Sequence, residues 1–511
     1  MDAWPEKRLS SMKRPLRPHH AHSMVVVTRG LAYLFAAFLF CVAGTAVMWC
    51  TSVFQDIVTG NMVISNSSNT WDWWKAPPVT PLLQVYIFNY TNGDSFGREN
   101  LRVQEVGPFT YRETTEKVDL KFYGNSTLSY REKKTYEFVR ELSAADEDVK
   151  VFAPNIPFMT AVGQVRNEFY FNRLGMNTLL RTLGSKPMLH ITVRDLLFGY
   201  EDSLFGLARV AGVNGDIPFH KFGLLVPKVG VSQHEVTVHT GADDMSRLGQ
   251  IVNFNGATSQ GVWRTDECDA IEGSDGSQFP PPKVSQDARL YVYNRDMCRR
   301  MPLVFEKFTE AQGLPAYRFH PPANVFSNPA VNAENACYCH HEDPEDCLPS
   351  GVFNASACQF GAPVLFSFPH FLHGDPDLLK NVKGLSPDVA KHDMYVDVHP
   401  TLGLTLGGES RLQVNVQVRL ASNVMTQEMS HFKDKTVLPI AWFDLLVTDY
   451  PAELKNLLYH ATFTVHILEL LLMYGFLAGG IASAAVLCRR LFLRERGTLD
   501  LSSESPDSDS C

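Results

Sequence analysis

The chain has 511 residues, 45% of them hydrophobic and 20% charged, with a formal net charge of −9. That length suits one large domain or a few ordinary ones, and the composition is neither that of a disordered chain nor that of a polytopic transporter. The negative balance argues against a nucleic-acid partner, whose footprint is a basic surplus.

Residues 1–30 form a basic tail with Lys7, Arg8, Lys13, Arg14, Arg17 and Arg29. Residues 31–53 (LAYLFAAFLFCVAGTAVMWCTSV) carry no charge, and at 1.5 Å rise per residue they cover the ~30 Å hydrocarbon core of a bilayer. A cleaved signal peptide is the rival reading. Its apolar stretch is normally shorter, and here bulky Met48 and Trp49 stand where small cleavage-site residues belong, so the run is assigned as an uncleaved anchor. A second apolar run, residues 463–488, stops at Arg489 and Arg490 and is followed by Arg494 and Arg496. The positive-inside rule then places residues 1–30 and 489–511 in the cytoplasm and residues 54–462 outside the cell or in a lumen. Four glycosylation sequons, at Asn66, Asn89, Asn125 and Asn354, fall in that outer segment and none falls in either tail.

Along the outer segment, short β-branched and aromatic runs recur at residues 82–88, 231–239, 289–293 and 412–418, bounded by turn clusters such as Asn92-Gly93-Asp94 and Pro280-Pro281-Pro282. No repeat or low-complexity linker divides it, so one large β-rich domain is expected. The exception is residues 157–183, where Val162, Val165, Phe169, Met176, Leu180 and Leu183 recur at helical spacing. On that helix Arg166, Arg173 and Arg181 fall within about 80° of one another, and Lys186 follows. A basic face of this kind is either a solvated surface or an anion-attracting patch. Residues 156–189 contain no histidine, so nothing in this stretch supports a pH-gated role for it.

Six cysteines lie outside: Cys268, Cys298, Cys337, Cys339, Cys347 and Cys358. Cys337 and Cys339 with His340, His341, Glu342 and Asp343 resemble a metal cluster, but an oxidising compartment, an even count and the CxC spacing favour disulfides over zinc, and no metal or other cofactor is expected. Sequence alone leaves all 15 pairings open. Closing loops of tens of residues contributes ~3–4 kcal/mol each on the chain-entropy model. Catalytic signatures of hydrolases, zinc proteases and nucleotide-binding loops are missing, so the chain is not read as an enzyme.

In the second span Gly475 and Gly479 form a GxxxG pattern that suits packing on the first span or self-association. His466 and Glu469 lie on one side of the same helix near its outer end. Cys488 beside Arg489 is a palmitoylation candidate. The tail holds Glu495 and Leu499, but Asp500 interrupts an acidic dileucine signal. This favours the plasma membrane over the lysosomal or endosomal membrane. Ser502, Ser503, Ser505, Ser508 and Ser510 are phosphorylation candidates in a solvated tail.

Seven segments together resemble the class B scavenger receptors: residues 71–92 (WDWWKAPPVTPLLQVYIFNYTN), 106–113 (VGPFTYRE), 195–200 (DLLFGY), 271–277 (IEGSDGS), 367–371 (SFPHF), 413–416 (QVNV) and 439–443 (PIAWF). The resemblance implies two transmembrane helices flanking one β-rich α+β ectodomain, with an antiparallel β-barrel-like core, an apical helical bundle and an internal hydrophobic tunnel. It implies the pairings Cys268–Cys337, Cys298–Cys358 and Cys339–Cys347. It also places Arg166, Arg173, Arg181 and Lys186 in an apical ligand-binding cap. The implied function is capture of lipids (fatty acids, sterols or carotenoids), lipoproteins or other polyanionic ligands, passage of lipid down the tunnel to the membrane, and endocytic uptake. A lysosomal cargo receptor, or an adhesive receptor for microbes and apoptotic cells without lipid transfer, is the alternative.

Overall fold

Leu82–Tyr90 shows why the outer segment folds as a sheet: its side chains alternate between buried and half-buried positions, the period-two pattern of a strand with one face against a core. The computed structural model describes residues 19–68, 70–92, 101–212, 217–339 and 347–502, with side chains described between residues 29 and 495. Thus His340, His341, Glu342 and Asp343, the basic residues of the first tail before His19, and the tail serines beyond Ser502 lie outside the described residues.

Two units emerge, residues 59–458 and a second made of residues 1–58 with 459–511. In chain order, the strands of the first are β1 (Leu82–Tyr90), β2 (Leu101–Tyr123), β3 (Thr127–Phe138), β4 (Lys150–Pro154), β5 (Met188–Thr192), β6 (Gly230–Val231), β7 (Val236–His239), β8 (Ile251–Phe254), β9 (Arg289–Asn294), β10 (Arg299–Ala311), β11 (Leu314–His320), β12 (Phe353–Asn354), β13 (Val364–Ser367), β14 (Val382–Lys383), β15 (Tyr395–Val398), β16 (Thr405–Gln417) and β17 (Val437–Leu446). The cap helices are α2 (Ile156–Gln164) and α3 (Tyr170–Thr182); the membrane unit holds α1 (His19–Cys50) and α4 (Val465–Ser502). The run at residues 231–239, expected as one strand, is two short ones separated by Ser232-Gln233-His234-Glu235, whose polar side chains have no apolar face to bury.

The main sheet runs β8-β7-β3-β2-β1-β17-β16-β15-β11-β10-β9 with antiparallel neighbours throughout, so the first long strand lies beside the last. Its two edges are bridged by Gly273 and Ser274. The Ile251 N–H donates to the Gly273 carbonyl at 2.8 Å, while Ser274 and Tyr291–Tyr293 exchange N–H···O bonds at 3.0 Å. Gly273 has φ +113, and a Cβ there would sit 2.6 Å from the Tyr291 carbonyl oxygen, so the IEGSDGS segment is the strip that all but closes the barrel.

The two faces of β1, β16 and β17 are chemically distinct. Leu83, Val85 and Ile87 on β1 oppose Leu445, Phe443 and Ala441 on β17, and Phe443 and Ala441 in turn oppose Leu412 and Val414 on β16. This apolar face belongs to the main core. The other carries Gln84, Tyr86, Arg411, Gln413, Trp442 and Asp444. Arg411 ties this face together: its Nε donates to Asp444 at 2.9 Å, its Nη1 to the Asp393 carbonyl at 2.8 Å, and its Nη2 to Glu409.

Among the described residues, two helices are long and apolar enough to cross a membrane, Arg29–Cys50 and one within Ala452–Glu495. Within the membrane unit, α1 and α4 pack with Gly30 near Arg490, Cys41 near Gly479, and Gly44 near Phe476, an antiparallel register. A Cβ on Gly44 would lie 2.6 Å from the Phe476 ring, which also stacks edge-on against Phe40 at 5.6 Å.

Candidate functional site

The expected single helix over residues 157–183 is two. Asn155 caps α2 by accepting the Phe158 N–H at 3.1 Å, and the chain leaves helical geometry after Gln164 before restarting at Tyr170. The break changes the electrostatics. Arg166 lies in the connection, not on the helix, and forms a two-pronged pair with Asp434 at 2.9 and 2.8 Å. Asp434 also accepts the Leu420 N–H, and these contacts hold its carboxyl below the usual range despite partial burial, which acts in the opposite sense. On α3, Arg173, Asn177 and Arg181 recur at i, i+4, i+8, and two of them meet the segment 425–428. Asn177 accepts the Met425 N–H at 2.9 Å, and Arg181 lies 3.6 Å from the Glu428 carboxylate. Arg173 donates to the Glu168 carbonyl at 3.1 Å, and its Nε is buried without a partner. Lys186 is exposed and makes no ion pair among the described residues.

The anionic partners Asp434 and Glu428 therefore engage Arg166 and Arg181, which stay partly exposed while they fasten the cap to residues 419–435. The outward edge is aromatic instead. Phe169 is 84% exposed and Phe171 80%, with Tyr170 and Leu174 beside them, whereas Val162, Val165 and Leu180 are buried. Helical periodicity assigned Phe169 to the buried stripe. That assignment fails because the helix breaks immediately before it, and the surplus of three aromatics at residues 169–171 over a core stripe was the available signal. Exposed apolar groups clustered at one edge are the kind of surface that meets a lipid or protein partner.

A second polar cluster lies on the outer sheet face. Glu105 accepts from the His370 Nε2–H at 2.6 Å and from the Trp442 indole N–H at 2.8 Å, and His370 stacks on His392 with centroids 4.3 Å apart. The donor atoms of Glu105, His370 and His392 lie within 4.8 Å of one another, a spacing a metal ion could use. The hydrogen bonds assign the tautomers otherwise: His370 Nδ1 accepts the Ser386 N–H and His392 Nδ1 accepts the Asp388 N–H, both at 3.0 Å. Each Nε2 therefore carries the proton, leaving no lone pair there for a cation.

The sulfurs of Cys268 and Cys337, Cys298 and Cys358, and Cys339 and Cys347 are bonded, with Cα separations of 6.3, 6.1 and 5.8 Å. Cys337 and Cys339 thus offer no thiolates to a metal. Asn66 and Asn125 are exposed, and in the sequons of Asn125 and Asn354 the hydroxyls of Thr127 and Ser356 donate to the asparagine Oδ1 at 2.7 and 2.6 Å. Asn89 differs: it lies half-buried in β1, and its Oδ1 accepts the Phe152 N–H at 2.9 Å. In the membrane unit a Cβ on Gly479 would lie 3.0 Å from the Cys41 sulfur, while nothing lies within 4 Å of Gly475, so the two glycines do not act as one surface toward α1. His466 Nδ1 is 3.5 Å from the Glu469 carboxylate, and Cys488 is exposed and unbonded.

Comparison with known proteins agrees with this architecture. The model of the CD36 family matches residues 34–491. The chain is 32% identical over 446 residues to rat "Lysosome membrane protein 2", spanning 86% of this chain and 90% of that one. The human protein of the same name is 35% identical over 374 residues, covering 72% and 76%. Bovine "Scavenger receptor class B member 1" is 31% identical over 414 residues, covering 80% and 79%. With two terminal spans, a nearly closed antiparallel sheet and this coverage, the chain belongs to the CD36 family, the class B scavenger receptors, and is a membrane-anchored receptor.

Proposed function

We propose that the protein captures lipid-bearing or polyanionic particles, lipoproteins among them, at the α2–α3 cap and passes their lipid through the apolar interior of the barrel to the bilayer, with endocytic uptake of the particle as a companion route. The observation that carries this reading is the exposed edge Phe169-Tyr170-Phe171 with Leu174, beside Lys186. Aromatic rings enter a lipid surface at modest ordering cost, and a nearby unpaired ammonium adds attraction toward anionic headgroups. Arg166 and Arg181, already paired with carboxylates, and Arg173 act in this scheme chiefly as fasteners of the cap. The apolar strip Leu83, Val85, Ile87, Phe443 supports a lipid path, since each methylene exposed to water costs ~0.8 kcal/mol. Transfer is downhill and non-enzymatic in this reading. Glycans at Asn66, Asn125, Asn354 and Asn89, acylation at Cys488, and self-association through the open Gly475 face complete the proposal.

A second reading, cargo binding in the lysosomal membrane, is favoured by the identity to "Lysosome membrane protein 2" chains. The deciding experiment measures uptake of labelled sterol, carotenoid and fatty acid by cells expressing the full chain, with imaging of a tagged copy. Particle binding at the cell surface with lipid uptake above control supports transfer at the plasma membrane. Binding without uptake, or a wholly lysosomal signal, overturns it.

A further inference from the structure

The segment from β14 to His392 crosses the outside of the barrel as a strap. At one end β14 pairs in parallel with Leu101 and Arg102 at the start of β2, and Gly384 passes so close to Val103 that only a glycine fits. Farther along, one imidazole ties the strap to the barrel and a second braces the strap's own turn. The Ser386 N–H donates to His370 Nδ1, and the Asp388 N–H donates to His392 Nδ1 within the strap's own turn. The two rings lie nearly parallel, 12° apart, over Trp442, and His370 is fixed from the far side by Glu105 and by the Gln413 carboxamide, which accepts its backbone N–H at 2.7 Å. Leu101 and Val103 beside the strap belong to the main core, as does the strap's own Val382, and its Leu385 packs against that core.

Both ties work only while the rings are neutral. A proton on the His392 Nδ1 turns an acceptor into a donor facing the Asp388 N–H, on a ring stacked 4.3 Å from that of His370. We propose that the strap over the β2 edge is released by acid through protonation of His392, which stacks on His370, opening a lateral way into the apolar core while the barrel itself stays folded. The charged groups facing the pair are Glu105 from β2, Arg411 from β16 and Asp388 from the strap, with Asp444 of β17 beyond Arg411. Glu105 and Asp388 favour a cation at this place. Burial, His370 and Arg411 oppose it, and together they push the His392 imidazole down from 6.5 to about 4. An open strap returns His392 to water and to its ordinary value. Opening is therefore coupled to proton uptake, and the closed state loses ground as pH falls from about 6.5 toward about 4.

The test is hydrogen–deuterium exchange of the full chain in lipid nanodiscs at pH 7.4 and 5.0, with times corrected for intrinsic exchange. Linkage through His392 alone predicts that protection of the peptide over residues 384–393 falls about 25-fold, while β16 and β17 keep theirs. His392→Asn, whose carboxamide oxygen can still accept the Asp388 N–H but does not titrate, is expected to lose at least fivefold less. Unchanged strap protection in the natural chain overturns the proposal. So does an equal fall in His392→Asn, or a parallel loss across β16 and β17, which would mean global unfolding. If His392→Asn fails to fold, strap protection in the natural chain is followed at intermediate pH: a fall of about tenfold per pH unit between about 6 and 5 supports the proposal, and a fall that does not steepen below about 6.5 overturns it.

Discussion

Replacing Phe169 and Phe171 together by serine isolates the aromatic edge of the cap from its charges. Neither ring supports the fold: they are 84% and 80% exposed, and among the described residues their ring contact is Tyr170 edge-on to Phe171 at 5.7 Å. Stability should change by less than about 0.5 kcal/mol, as for surface positions in general. Fully burying a phenylalanine side chain contributes ~1.5–3 kcal/mol, so docking that covers about half of each exposed ring contributes roughly 2 kcal/mol for the pair, or about thirtyfold in affinity. The assay is surface plasmon resonance of the full chain in nanodiscs against phospholipid-coated particles, run at low and high salt, with Leu180→Ala as a folding-defective control. An affinity within about twofold of the natural chain at both salts would refute the argument that the edge, and not the arginine face, makes contact.

Removing Arg166 tests the complementary point. Because Asp434 already neutralises it, Arg166→Ala should leave particle binding within about twofold, whereas Lys186→Glu should slow association at low salt. A double-mutant cycle of Arg166 and Asp434 should give a coupling of about 0.5–1 kcal/mol in thermal unfolding, since the pair is about one-third exposed. In the membrane unit, Gly479→Cys should form an intrachain disulfide with Cys41 under mild oxidant, the added Cβ lying 3.0 Å from that sulfur, whereas Gly475→Cys should give only interchain products, as judged by gel mobility. Burial raises the Asp444 carboxyl from 3.8 to about 6 even with Arg411 beside it. Its folded value exceeds its unfolded one, so its contribution is whole below about 4 and lost as pH rises through about 6. Asp444→Asn should remove that term, and the difference in Tm between variant and natural chain should then grow in the variant's favour from pH 4 to pH 6.5.

Much of the architecture is legible in the sequence. The period-two runs at β1, β9 and β16 were each found, and the two apolar runs became α1 and α4. The long β2, Leu101–Tyr123, is not legible, because nine of its 23 positions are exposed and eight of its residues are charged, so it reads as loop. The site was less legible for a specific reason. A helical wheel assumes an unbroken helix, and the turn at Val165 to Phe169 rotated Arg166 and Phe169 out of the faces assigned to them. Whether a lysine or arginine is available to a ligand depends on carboxylates distant in sequence, here Asp434 and Glu428, which no local pattern displays. The His370–His392 pair is likewise assembled from a turn, a strap and three strands.

Because β1 pairs directly with β17, Leu82 meets Leu446. During synthesis at ~5–20 residues per second, β1 leaves the ribosome roughly 20–70 s before its neighbour exists. Throughout that interval the apolar face of Leu83, Val85 and Ile87 has β2 on one side and an open edge on the other, a template for unintended strand pairing. The nascent ectodomain therefore needs a chaperone for about as long as it takes to be made, and a truncation anywhere before Val437 leaves that edge permanently unpaired. Such truncated chains should be retained and degraded rather than delivered with partial function.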